Sequence, residues 1–229
     1  MAATFDARLV DLIGDYAAKI NDNHEIDLLN AAIAEVADSV PPELLLKYAV
    51  TPQVLNNSTP TLTGADGPEG KKILLVTRLD GDGVDRNCDM VGIPMFSQAK
   101  DGDSVYEATS FSPVACHTTT GGASSLELYP VPTASETAKV YYFTYPVTNQ
   151  KEQTDTQLNA SGIPFQLLHA IALRTAIAML QAYISDAIQD DEDSEIVAML
   201  GQQVVSLSTQ YGAEMQRFTQ GTFTQGEAE

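Results

Sequence analysis

Tryptophan is absent from this chain, and 229 residues contain only 2 cysteines and 3 histidines. Cys88 and Cys116 stand far apart with no CxxC, so neither a disulfide framework nor a thiolate-rich metal module organises the fold. Reduced thiols in a cytosolic product are expected. Bases are scarce as well: 12 lysines and arginines face 31 acids, for a net charge of −19. Acids exceed bases 11 to 3 in residues 1–70, 9 to 6 in 71–150 and 11 to 3 in 151–229, so no basic stripe exists. Gripping nucleic acid requires clustered Lys and Arg that displace counterions, and that class of function is excluded. No stretch approaches the ~18 consecutive apolar residues that a membrane span requires. The opening MAATFDARLVDLIGD has acids but no basic n-region, so it does not read as a signal peptide, and a soluble protein is expected.

What is present is a large apolar fraction, 44% of residues, enough to bury one large core or two small ones. Phe5, Leu9, Leu12, Ile13, Tyr16 and Ile20 recur at three- and four-residue spacing and predict a first helix. After Asn21-Asp22-Asn23, Asp22 stands three residues before Glu25 as a capping box. Ile26, Leu29, Ala32, Ile33 and Val36 then form one helical stripe. Pro41 and Pro42 stop that helix and open a short successor. From Thr51 to Lys72 the chain is rich in Pro, Gly, Asn and Thr and reads as a connection.

Short β candidates follow: KILLVTRL (72–79), CDMVGIP, SVYEAT, SPVACH, SLELYP and AKVYYFTYP, separated by turn clusters such as DGDGVDRN and TTTGGAS. In the last of them Val140, Tyr142 and Thr144 face one way and Tyr141, Phe143 and Tyr145 the other. Both faces are apolar, so both should be covered. After a polar loop, Pro164 opens an apolar helix of about 26 residues whose hydrophobic positions cover most of its circumference, which implies burial on several sides. A last helix, about Ser194–Phe218, carries Ile196, Leu200, Val204, Leu207, Tyr211 and Met215 on one stripe. The predicted fold class is α+β. N- and C-terminal helices form a bundle around an inserted antiparallel β module, a sandwich or small barrel. The divisions are residues 1–50, 51–150, 151–218 and a polar tail, 219–229.

Candidate chemistry is thin. Asp80, Asp82, Asp85 and Asp89 in LDGDGVDRNCD are the best metal candidates, as hard oxygen ligands for calcium. Their spacing departs from the helix–loop–helix calcium loop: glycine falls at the fourth position and no glutamate closes the loop. A solvated hairpin turn is favoured. A zinc site from Cys88, Cys116, His117 and either His24 or His169 is disfavoured, because adjacent strand residues point to opposite faces. There is no GxSxG, and TTTGGASS leads into a strand where a phosphate cradle needs a helix N-terminus. No catalytic residue, cofactor or firm metal site is assigned, and the chain is expected not to be an enzyme.

The order of elements resembles that of tailed-bacteriophage virion proteins that act as head–tail connectors or neck adaptors. The stretches that carry the likeness are LLNAAIAEVADSVPPELL, ILLVTRLDGDGVDRNCDMV, GDSVYEATSFSPVA, LELYPVPTASETAKVYYFTYP and ASGIPFQLLHAIALRTAIAMLQAYI. The resemblance implies a ring, commonly of twelve copies, beneath the phage portal, made in the host cytoplasm and carried in the virion neck. It would join head to tail proteins and form part of a DNA conduit. Its partners would be copies of itself, the portal and downstream tail or neck proteins, with double-stranded DNA passing unbound and no membrane involved. Tyr141, Phe143, Tyr145, Phe218 and Phe223 are the candidate partner-binding residues. An acidic wall that repels DNA suits such a conduit, although solubility or a salty habitat accounts for the same charge. Alternatives are a tail-completion or minor head protein, and a calcium-dependent β module.

Overall fold

The computed structural model describes residues 4–48, 52–63, 67–120, 123–148, 153–160, 162–189 and 194–220. The chain divides into two units: Met1–Leu44 with Tyr145–Glu229, and Leu45–Thr144. The architecture is α+β, with two four-stranded sheets that do not close into a barrel.

The first unit is helical. Helix α1 (Phe5–Ile13) begins where the Thr4 side chain accepts a hydrogen bond from the Ala7 N–H, and it ends at Gly14. That residue has φ +62°, a conformation glycine adopts without a steric penalty. The expected continuous helix therefore changes here to a 3-10 segment, Gly14–Lys19. Helix α2 (Asp22–Ser39) is capped by Asn21, whose carboxamide oxygen accepts from the Asn23 N–H at 2.9 Å. Asn21, rather than Asp22, is thus the cap. Leu29, Ala32, Ile33 and Val36 bury its apolar stripe. The short helix α3 (Pro42–Leu45) starts with proline at its first turn, where a missing N–H costs nothing.

The remaining helices of this unit are α5 (Asp155–Ala160), α6 (Leu168–Gln189, preceded by a 3-10 turn at Phe165–Leu167) and α7 (Ser194–Gln220). Helix α5 falls in the stretch read as a polar loop. Helix α6 is the axis of the unit, packed by α1, α2 and α7. Ala170, Ile171, Ala172, Leu173, Ala176, Met179 and Leu180 are at most 1% exposed. Phe165–Ile188 is long and apolar enough to cross a membrane, contrary to the expectation of no such segment. In its most apolar 18-residue window, 61% is buried inside the protein, as in a core helix of a globular bundle.

The second unit holds strands β1 (Gln53–Leu55), β2 (Thr61–Leu62), β3 (Lys71–Leu79), β4 (Asp85–Asn87), β5 (Asp89–Met90), β6 (Val114–Thr120), β7 (Ala123–Tyr129) and β8 (Ala138–Thr144), with helix α4 (Ile93–Ala99). The sheets run β1-β8-β3-β4 and β2-β7-β6-β5. Every pairing is antiparallel except β5 with β6. Both sheets contribute to one core: Leu55, Val76, Ala138 and Val140 from the first, Leu62, Ala115, Leu126 and Leu128 from the second. This is a sandwich.

On β6 the period of two separates the faces. Ala115 enters the shared core, while Val114 and Cys116 turn outward beneath Phe96 and Ala99 of α4. Three expectations are corrected here. GIP opens a helix because Pro94 sits in its first turn; SVYEAT forms turns; and β1 and β2 lie in the stretch read as a connection.

Ile171 and Leu173 lie about 200° apart around α6, and both are fully enclosed. Leu173→Ala is expected to lower unfolding stability by about 2–5 kcal/mol, read from urea denaturation of the full chain followed by circular dichroism.

Candidate functional site

The Asp-rich turn is the most organised polar region among the described residues. Its β3–β4 reversal uses Gly83 at φ +82°. Asp80 is 1% exposed, and its carboxylate is spent inward. One oxygen accepts from the Asp82 N–H (2.9 Å) and the Val84 N–H (2.8 Å), and the other accepts from Arg86 Nε (2.8 Å). The Val84 amide bond and then Arg86 hold its pKa below the ordinary carboxylate value. Asp85 pairs with Lys139 across the sheet at 2.8 Å. Asp82 and Asp89 are exposed. The four aspartates thus serve as a turn staple, a surface ion pair and two solvated groups, and no His, Cys, Asp or Glu trio suited to a metal occurs among the described residues.

A buried ion pair lies nearby that the sequence did not disclose. Arg78 on β3 donates from Nη2 to Glu136 Oε2 at 2.7 Å, with the two side chains 3% and 10% exposed. Arg78 also donates to the carbonyl oxygens of Pro130 (2.9 Å) and Leu79 (2.9 Å). Glu136 Oε2 further accepts from the Thr133 N–H at 2.9 Å. The Thr133 amide first, and Arg78 after it, depress the Glu136 pKa. This is how a buried charge becomes tolerable: it is both paired and hydrogen-bonded. The network pins the 130–137 segment onto the end of β3. Arg and Glu separated by 58 positions leave no local spacing signal.

The zinc candidates are not brought together. Cys88 belongs to the shared sandwich core and Cys116 to the cluster under α4. Burial pushes the Cys88 thiol up to about 12 and raises that of Cys116, so both stay protonated near neutral pH. His117 is exposed on β6, and His24 and His169 belong to the helical unit. The candidate partner residues also separate. Phe143 is 3% exposed, so its ring is already withdrawn from solvent. Tyr141, Tyr145 and Phe218 are half-buried, and Phe223 lies outside the described residues. The Tyr145 hydroxyl donates to Asp38. Burial first, and that bond second, raise its pKa to about 12.

In the helical unit an open concavity of about 530 Å³ is lined in part by Lys19, Asn21, His24, Tyr183 and Asp186. Lys19 Nζ lies 5.3 Å and 5.1 Å from the ring centres of Tyr16 and Tyr183, and 3.2 Å from the Tyr183 hydroxyl. The i, i+3 spacing of Tyr16 and Lys19 was available from the sequence; the contribution of Tyr183 was not. The aromatic faces already engage the ammonium group, and Asp186 sets a negative charge against any incoming anion. No family model matches the chain, and no curated protein matches its sequence.

Three outcomes follow from this geometry. Because the folded-state pKa values of Asp80 and Glu136 are depressed, their contribution to stability is full above the ordinary carboxylate range and is lost as pH falls through the depressed values. Thermal unfolding followed between pH 7 and pH 2 should show the wild-type midpoint falling on the acid side of about pH 4. Asp80→Asn should start lower at pH 7 and lose less on acidification. Glu136→Ala, which strands the Arg78 guanidinium, should cost roughly 3–5 kcal/mol, and replacing both by apolar residues should cost less. Calorimetric titration of the full chain with calcium should give no saturable heat.

Proposed function

We propose that this chain is a structural component of a tailed-phage neck. Copies form a ring, commonly of twelve, beneath the portal, join head to tail and frame part of the DNA path. One observation carries the reading: the chain carries a net charge of −19, and the acids whose burial is described lie almost wholly on the surface. Among the described residues, only Glu25, Asp80 and Glu136 are buried acids. Such a surface repels a polyanion at every orientation, which suits a wall along which DNA must slide. The ring setting and the portal come from the resemblance in element order, and the α+β arrangement is compatible with them.

The mechanism asked of such a wall is modest. It must hold shape under load and offer no adhesive site to phosphate. Buried, multiply bonded charges such as Arg78 with Glu136 contribute rigidity without exposing cations. The exposed Lys100 and Lys139 are paired with Glu127 and Asp85, which mutes their attraction for passing DNA. Each exposed pair contributes about 0–1 kcal/mol to stability, so their value here lies in charge cancellation.

The test is an asymmetric cryo-electron-microscopy reconstruction of the neck of virions that contain this chain. The expected result is an annulus of copies under the portal with acidic side chains toward the channel. Density for the chain elsewhere in the virion, or a channel face dominated by bases, would overturn the reading.

A further inference from the structure

The stretch that links β5 to β6 leaves much of its apolar surface uncovered. Phe96 and Ala99 of α4 pack with Ala108 against Val114 and Cys116 of β6. Met90, Ile93, Met95, Val105, Tyr106 and Phe111 stay outside, 40–93% exposed. Single exposed apolar residues are ordinary, whereas six between Met90 and Phe111 are a concentration. The backbone ties these positions together. The Asp89 N–H donates to the Pro113 carbonyl oxygen at 3.0 Å, and the Val91 N–H to that of Ala115 at 2.9 Å. The Ala108 N–H donates to the Ala99 carbonyl oxygen at 3.0 Å, which fixes the returning segment to the end of α4. The Arg86 guanidinium lies 5.5 Å from the centre of the Phe111 ring and is itself bonded to Asp80. An apolar surface held in place this way loses little freedom when something docks on it.

The charges around it have one sign. Asp89, Asp101, Asp103 and Glu107 are all exposed. The one base between Asp89 and Phe111 is Lys100, which is bound to Glu127 at 3.0 Å. Nucleic acid and anionic lipid are repelled by such a rim. A second copy of this chain, with 31 acids against 12 bases, is disfavoured there for the same reason. The complementary surface is one with apolar anchors flanked by cations. Met90 and Met95 suit that role, since unbranched, polarizable side chains re-pack against varied partners. Methionines set among acids accept cationic amphipathic helices, whose apolar face docks while lysines and arginines meet the rim.

We propose that the surface formed by β5, α4 and residues 104–111 docks a cationic amphipathic segment of another protein. The proposal does not rest on the neck reading: it follows from the exposed apolar side chains and the sign of the charges beside them.

The test is fluorescence anisotropy of labelled peptides of about 18 residues, about five helical turns, titrated with the full chain. One peptide is an amphipathic helix of leucine and lysine. Another has the same composition in scrambled order, and a third has glutamate in place of lysine. The first should bind saturably, at least about tenfold more tightly than the scrambled peptide, and the glutamate peptide should not bind. Ile93→Gln combined with Val105→Gln, both at exposed positions and checked by circular dichroism, should weaken the first peptide by more than about tenfold. Val205→Gln, at an exposed position on α7, should leave it unchanged. Asp101→Asn combined with Asp103→Asn should weaken it and flatten its dependence on NaCl. Equal affinity for the ordered and scrambled peptides would show generic charge attraction and overturn the proposal. Equal affinity of the wild type and the Ile93/Val105 variant, or binding of the glutamate peptide, would overturn it too. Sedimentation velocity of the chain alone covers the remaining occupant: self-association removed by the same substitutions would assign the surface to a second copy and contradict the proposal.

Discussion

Burial of α6 is the constraint on which the helical unit depends. Its apolar residues cover nearly the whole circumference, and a helix of that kind is stable in water only when enclosed. Helices α1, α2 and α7 supply the enclosure, so segments from both ends of the chain must converge on it. Chain order follows from this requirement. The β unit occupies the stretch between α3 and α5, while the flanking helices remain committed to α6. Leu200 and Leu207 complete the cover from α7.

Charge is partitioned just as strictly as apolar surface. Inside, ionised groups are few, and those of the sandwich unit, Arg78, Asp80 and Glu136, are engaged. Asp80 caps its own turn and meets Arg86, and Glu136 is bonded by a main-chain amide and by Arg78. Outside, acids accumulate with little to balance them. The interior arrangement fixes loops against strands, and the exterior sets how the protein meets other polyanions, including copies of itself.

Much of this was legible in the sequence. The stripe Leu29–Ala32–Ile33–Val36 and the all-round apolarity of 168–180 report helices directly, because the 3.6-residue period is visible within one segment. Strands β3, β6, β7 and β8 were legible from β-forming runs between turn clusters, and on β8 the two-residue alternation puts Val140 and Tyr142 on the core side and Phe143 opposite. What escaped depends on distant partners. Strands β1 and β2 are three and two residues long, and pairing with β8 and β7 defines them more than their own composition does. Helix α4 hid because Ile93 and Pro94 read as a strand end, whereas proline in a first helical turn is favourable. In the polar region, the Asp80 turn could be named from its glycines and aspartates. The Arg78–Glu136 pair could not, since nothing local couples residues on β3 and in the 130–137 segment.

The enclosure of α6 is tested most directly by native-state hydrogen exchange on the full chain. If α6 is the axis that the other helices cover, its amides from Ala170 to Leu180 should exchange only through opening of the whole helical unit, more slowly than those of α1 or of the last turns of α7. Exchange of the α6 amides as fast as those at the end of α7 would contradict this picture of the core.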